Sequence, residues 1–457
     1  MDCWGNISLV HNSSIALVTS MWYSVNPTHS YQKYNSLSRQ EFDIWWQELE
    51  DTLINNLNLL PIPPSTKNLL LNIAQPIGKE LQRWLEFHAF LELGDLKLSE
   101  TLIWESPGTI DWKTTAEKTI LNENLCILNR FRLACINCLD VLINQLWPEV
   151  RFYFYDVDNE RLNCAEVPEI MFWVCHLEDK MEDMMEIMEF SGHHEFMQSA
   201  AWSAVINNNA VAAKYFIEQL EPQDLSKVVK NSLNYLIMKR LDCNSNLLAY
   251  LLSNLSKTDQ NILFIAQSEN MLLHFLNWPL QNLFLELVDD LWKALSPVAY
   301  YNILEEVIRK ASEFHHGLIY REIFQEFWEK ASLRYKCYVI HKCINATFLS
   351  RIFSLKETDE FVERIIKYST IEQRMQILLE FNGMQTIDYL ISKQRWNSLK
   401  SYIKTCISDD TDINKIRGVY SEHVNRSSYI TISDVDVKQF NETLDNIYES
   451  YTSINVK

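Results

Sequence analysis

The segment Leu177–Glu189, LEDKMEDMMEIME, holds the densest set of chemically distinctive side chains in the sequence. Met181, Met184, Met185 and Met188 recur at i, i+3, i+4 and i+7, which puts four thioethers on one face of a helix. Glu182, Asp183 and Glu186, with Glu178, Asp179 and Glu189, make much of the remaining circumference acidic. Methionine is flexible and polarizable, so an exposed stripe of this kind accepts varied apolar helices, while the carboxylates attract basic ones. Packed inward, the same stripe is core with a solvated acidic back. The candidate partner-binding residues are therefore Met181, Met184, Met185, Met188, Glu182, Asp183 and Glu186.

Metal-ligand spacings are present but incomplete. Cys135 and Cys138 have C-x-x-C spacing within an apolar helical pattern, and no second pair lies at a zinc-finger distance. Cys337 and His341 stand at i, i+4 with Cys343 nearby, a set that also reads as core thiols beside a satisfied histidine. His193-His194-Glu195 lacks the H-E-x-x-H order that puts two ligands on one helical face. Asp289-Asp290 and Asp409-Asp410-Thr411-Asp412 do not match the D-D-x-x-D metal motif of all-α isoprenoid enzymes, because Trp292 follows the first pair and the second lies in a polar break. No metal or cofactor is expected.

Glycine excludes more than any motif establishes. The 457 residues contain only 8, and no two lie closer than 14 positions. Phosphate-cradling loops and the G-x-S-x-G nucleophile elbow both need clustered glycines, so the common NTPase, kinase, Rossmann and α/β-hydrolase designs are set aside. The formal charge of −19 is uneven: residues 1–200 hold 13 Lys and Arg against 29 Asp and Glu, and residues 201–457 hold 28 against 31. Nucleic acid and membrane insertion are not expected, whereas a protein partner, basic where it meets the N-terminal half, fits the field. Ten scattered cysteines, an N-terminus without a charged leader and the lack of a long apolar run lead us to expect a soluble cytoplasmic chain with reduced thiols.

The elements that must carry these side chains read as helices throughout. Residues 1–38 read as an irregular arm. Ser38 and Glu41 form a capping box for a helix carrying Phe42, Trp45, Trp46, Leu49 and Leu53, which the Pro61–Pro64 segment stops. A further helix over about 66–93 is expected to break near Pro76–Gly78, and 114–147 is helical. Arg151–Tyr155 has the composition of a short strand, but one strand cannot make a sheet, so no strand is expected there. From about residue 191 helix ends recur at Leu220, Leu255, Leu291-Trp292 and Phe327-Trp328, separated by 35, 36 and 36 residues. A fixed period of this size is the mark of stacked helical hairpins.

Ala204–Asn209 followed by Ala212, Ala213, Lys214, Tyr215 and Phe216 resembles the helical part of an ankyrin repeat, with Asn208 where that family places a glycine. The T-P-L-H entry turn is missing from every unit. The resemblance implies a helical interaction surface without the projecting β-turns. The expected fold is all-α: an acidic helical region over 39–190, an α-solenoid of helix–turn–helix repeats over 191–408, and a polar tail over 409–457 that ends in a short amphipathic stretch near Phe440, Leu444 and Ile447. The expected function is a noncatalytic protein–protein interaction scaffold or adaptor. The alternative is an all-α enzyme whose site is assembled in space and leaves no sequence motif.

Overall fold

The computed structural model describes residues 9–25, 36–91, 96–106, 108–155, 167–187, 192–239, 244–313, 318–345, 347–355, 359–426 and 433–455. Among these residues every regular element is a helix, and the single β-type pairing is an isolated bridge between Trp104 and Ile110. The chain divides into two compact units, Met1–Leu291 and Trp292–Lys457.

In the first unit, the expected irregular arm instead contains the helix Leu9–Ser24. Its low amphipathicity hid it from periodicity, and tertiary contacts hold it in place. Trp22 is fully buried, stacks on Trp46 with ring centroids 5.4 Å apart, and donates its indole N–H to the Ala74 carbonyl at 2.8 Å. Farther along, the Trp104 indole donates to the Tyr23 hydroxyl and Ser106 donates to the Asn12 side chain, both at 2.8 Å. The helix Arg39–Leu59 starts on the expected capping box: the Ser38 backbone N–H donates to Glu41 at 2.9 Å. Proline stops it, and Pro64 opens the next helix, Pro64–His88, at a position where its missing N–H costs nothing.

That helix runs unbroken through Pro76, contrary to the sequence expectation. Ile73, Ala74, Pro76, Ile77 and Gly78 are all buried, so packing outweighs the lost backbone bond. Gly78 supplies the space, since a Cβ there would lie 2.3 Å from the Trp22 ring. The helical stretch that follows resolves into Trp112–Ile120, Ile127–Ile136 and Asp140–Val150, and the aromatic run whose composition also suits a strand forms no strand but the short helix Phe152–Tyr155. A lone strand has no partner for its backbone groups, whereas a helical turn satisfies them locally.

Four helix–helix turns share one backbone design. Cys138, Asp179, Asn208 and Gln394 have φ of 47°, 57°, 59° and 54°. In each, the next residue's N–H reaches back to a carbonyl five residues earlier: Leu139 to Ala134 at 3.0 Å, Lys180 to Cys175 at 2.8 Å, Asn209 to Ala204 at 2.9 Å and Arg395 to Leu390 at 2.9 Å. This is the Schellman closure, usually built on glycine.

The second unit begins with an aromatic cluster in which Trp292, Tyr300, Phe327 and Tyr335 approach to centroid distances of 4.6–6.1 Å. The Tyr335 hydroxyl donates to the Trp292 carbonyl at 2.8 Å. Residues expected to form a polar tail instead form the helices Thr411–Arg426 and Asp434–Asn455. Ile413, Ile416 and Tyr420 of the first and Phe440, Leu444 and Ile447 of the second are buried, with Tyr420 and Phe440 centroids 4.2 Å apart. The amphipathic stretch at Phe440, Leu444 and Ile447 matches the sequence reading, while low hydropathy concealed the stripe of Ile413, Ile416 and Tyr420; the two suffice once they face each other.

Candidate functional site

The methionine helix spans Met181–Ile187 and packs against Pro168–Leu177. Met181 and Met185 are half-buried, and Glu182 and Glu186 are exposed. The side chains of Asp183 and Met184, and all of Met188, lie outside the described residues. The described part therefore has one acidic face in solvent and two thioethers turned partly inward.

The cysteine and histidine candidates do not converge. Cys135 and Cys138 are buried, one in a helix and one in the left-handed turn that ends it, and burial pushes the Cys138 thiol up. Cys337 and His341 are exposed while Cys343 is buried. Among the described residues no group of three His, Cys, Asp or Glu side chains is placed to hold a metal. His194 lies 3.0 Å from Asp224, and Asp289 and Asp290 are exposed on the helix Phe284–Leu291. Asp409 caps the helix at Thr411, donated to by its N–H at 2.9 Å, and Asp412 pairs with Lys415 at 2.9 Å.

Sequence periodicity missed several buried polar groups. Glu50 is only 4% exposed, its Oε1 has no hydrogen-bond partner among the described residues, and burial raises its pKa to about 7. His88 sits among Trp84, Phe87 and Trp112, hydrogen-bonded through Nδ1 to the Trp84 carbonyl at 2.8 Å; burial lowers its pKa to about 4. Asn209 is a buried junction for three helices. It donates to the Ile136 carbonyl at 2.8 Å and to Glu169 at 3.2 Å, and accepts from the Ala212 N–H at 3.1 Å. Burial pushes the Glu169 carboxyl up.

Asp388 in the second unit accepts from the Tyr420 hydroxyl at 3.0 Å and lies 2.7 Å from His423 Nε2. A buried carboxylate that orients an imidazole is half of an acid–base dyad. Here, however, the second carboxylate oxygen is used by tyrosine, and among the described residues no serine, threonine or cysteine is bonded to His423. The arrangement ties Phe381–Ser392 to Thr411–Arg426.

An open groove lies in the first unit between the helices Pro222–Lys239 and Lys257–Ala266. It has a volume of about 250 Å³, and Leu255, Ile262, Leu263 and Ala266 give it an apolar floor. Lys230 and Asp259 cross one end as an ion pair of 3.0 Å. Asp259 is held below the usual carboxylate range by the hydrogen bonds from Lys230 and Ser256. Ile262 and Ile265 are 61% and 60% exposed, and Met238, two helical turns beyond Lys230 on the same stripe, is 64% exposed. The available sequence signal was the run Ile262-Leu263-Phe264-Ile265-Ala266, apolar on every side of a short helix. Such a helix must either be buried all round or leave an apolar face for something else. No helix of the described residues is long and apolar enough to cross a membrane.

No family model matches this chain, and no curated protein matches it significantly.

Proposed function

We propose that the chain is a noncatalytic protein-interaction scaffold built from stacked, ankyrin-like helical hairpins. The observation that carries this reading is a recurrent set of hydrogen bonds linking residues about one hairpin apart in sequence. The Asn208 side chain accepts from the Asn244 N–H at 2.7 Å, 36 residues on. His274 reaches the Leu236 carbonyl at 2.8 Å across 38 residues. In the second unit Asn382 donates to the Ile344 carbonyl across 38 residues, and Arg395 donates to Asp359 across 36. Polar rungs at separations of 36 to 38 residues are what stacking of neighbouring hairpins would produce.

Helix starts support the same reading. Ser256, Ser296, Ser332 and Thr370 each precede a helix, at spacings of 40, 36 and 38 residues. The residue before each of them, Leu255, Leu295, Ala331 and Ser369, is buried. The left-handed conformation of Asn208 supports its equivalence to the ankyrin glycine. Stacked hairpins present continuous helical faces, and such faces serve recognition of other proteins.

The test is affinity capture on the immobilised full chain at low and high salt, followed by hydrogen-exchange footprinting of any captured protein. A footprint across two or more consecutive hairpins is the expected result. Failure to retain any protein would refute the scaffold reading.

A further inference from the structure

We infer that two successive helix–helix turns of the second unit, 329–336 and 367–374, form a binding site for an oxyanion, a carboxylate or phosphate group, held by Lys336 and Arg374. The site goes beyond the scaffold reading and does not rest on it.

The two cations occupy equivalent places. Lys336 is the fourth residue after Ser332, which precedes the helix Leu333–Asn345, and Arg374 is the fourth after Thr370, the cap of Ile371–Leu379. Each reaches back seven residues, Lys336 Nζ to the Glu329 carbonyl and Arg374 Nη2 to the Lys367 carbonyl, both at 3.4 Å. Tyr368 joins them. Its hydroxyl accepts from Lys336 Nζ, also at 3.4 Å, and it directly follows the residue that holds Arg374.

Weak coordination sets this pair apart. Lys336 is 5% exposed, yet among the described residues neither it nor Arg374 pairs with a carboxylate. The Glu329 carboxylate in the same turn is engaged by Arg364 at 3.7 Å. The Lys336 ammonium lies 5.7 Å from the Trp328 ring centroid and 4.5 Å from that of Tyr368, contacts that offset part of its desolvation. All three hydrogen bonds from the two cations are at the long limit for N–H···O. Arg83 and Arg395 elsewhere each find an acid, Glu80 at 2.5 Å and Asp359 at 3.0 Å. A buried cation without a close acid is costly, because nothing of opposite charge compensates its lost hydration.

Donors also outnumber acceptors around this crease. Arg374 Nε is buried without a hydrogen-bond partner among the described residues, and so are Trp328 Nε1 and the Tyr300 hydroxyl, both on fully buried side chains. Trp328 meets Tyr368 at 5.9 Å between centroids, and Tyr300 meets Tyr335, the neighbour of Lys336, at 5.1 Å. Burial pushes the Tyr300 hydroxyl up, so it keeps its proton and stays a donor. Two under-coordinated cations among orphan donors match a group that only accepts hydrogen bonds and carries negative charge. The starts of Leu333–Asn345 and Ile371–Leu379 add the positive ends of two helix dipoles. Tyr368 is 44% exposed and Arg374 half-buried, so a ligand reaches the crease from that side.

The experiment titrates the full chain with inorganic phosphate and, separately, with a hexaglutamate peptide, at ionic strength held constant with potassium chloride. Thermal unfolding and amide exchange are the readouts. The expected result is saturable binding of one or both, with a raised melting temperature and slowed exchange at the starts of both helices. Binding of the peptide alone makes a carboxylate the ligand group, binding of phosphate alone makes it phosphate, and either supports the site. Arg374→Gln and Lys336→Met should each weaken binding about tenfold or more. Methionine replaces the buried ammonium by an apolar chain of similar length, so Lys336→Met without ligand should melt no lower than the native chain. Should that variant fail to fold, Arg374→Gln decides the question. The inference is overturned if neither anion saturates, or if Arg374→Gln binds as tightly as the native chain. It is overturned equally if Arg426→Gln, which removes a charge 81% exposed outside the crease, weakens binding as much, since that marks nonspecific attraction.

Discussion

Replacing Glu50 by glutamine should stabilise the first unit at alkaline pH and have little effect in acid. Glu50 lies on the buried face of Arg39–Leu59 with Trp46, Leu53 and Ile54, and its Oε1 has no hydrogen-bond partner among the described residues. Burial raises its pKa from 4.5 to about 7; attraction to Lys79 opposes the rise, and Asp51 adds to it. Below 4.5 the carboxyl is protonated in both the folded and unfolded chain. Between 4.5 and about 7 the unfolded chain ionises while the folded one keeps its proton, so stability falls as pH rises. Above about 7 both are ionised, and the folded state carries the whole cost, about 3 kcal/mol. Glutamine keeps the shape and removes the charge.

His88 runs the other way. It stays neutral in the fold down to about 4, whereas the unfolded chain protonates near 6.5. Its contribution is therefore complete above 6.5 and is lost as pH falls toward 4. Between 4.5 and 6.5 the two slopes oppose each other, so Glu50→Gln should also expose a rise in stability with pH that the native chain masks. Amide exchange in Arg39–Leu59 is the assay, since it reads opening of this helix without requiring the whole chain to unfold in one step. Protection should increase by about 3 kcal/mol near pH 8 and by under about 1 kcal/mol near pH 5. Equal protection of the two proteins near pH 8, or lower protection of Glu50→Gln, would refute the assignment of a buried charge whose desolvation outweighs its attraction to Lys79.

Three further outcomes are expected. Gly78→Ala should drive a methyl group into the Trp22 ring, cost about 1–3 kcal/mol and shift tryptophan emission to the red as the helix Leu9–Ser24 loosens; unchanged emission and melting would contradict the packing. A thiol-reactive aromatic disulfide should label Cys126 and Cys337 in the folded chain and spare Cys135, Cys138, Cys343 and Cys406 until urea is added, which mass spectrometry of labelled peptides reads directly. Asn208→Ala should cost about 2 kcal/mol, from left-handed strain together with the orphaned Asn244 N–H, while Asn208→Gly should cost about half as much because only the hydrogen bond is lost; equal costs on urea unfolding would show that the backbone conformation carries no strain.

How much of this was legible in the sequence follows from how local each interaction is. The Ser38–Glu41 capping box and the proline stop at Pro61–Pro64 depend on neighbours within a few positions, and the structure keeps both. The helix Leu9–Ser24 and the continuity through Pro76 depend instead on one tryptophan reaching 52 residues along the chain to the Ala74 carbonyl. Nothing within one helical turn of Trp22 announces that contact. At the C-terminus the amphipathic spacing of Phe440, Leu444 and Ile447 was legible, whereas Ile413, Ile416 and Tyr420 lie in a mostly polar segment and become a stripe only against that partner. The groove was partly visible. Ile262 through Ala266 is apolar on every side of its helix, and only the structure shows that Ile262 and Ile265 are left exposed.

Scarce glycine then has a structural consequence beyond the enzymes it excludes. Four Schellman turns are built on Cys138, Asp179, Asn208 and Gln394, residues that pay for left-handed backbone where glycine would not. Among them, Asn208 uses its side chain to bond the next hairpin at Asn244, and Asn209 beside it joins three helices at once. Glycine at Asn208 would relax the turn but remove the bond across 36 residues. The chain thus spends local strain on side chains that fix one hairpin against another. On the scaffold reading proposed above, that exchange has a use, because the face offered to a partner is defined only when successive hairpins hold a fixed register.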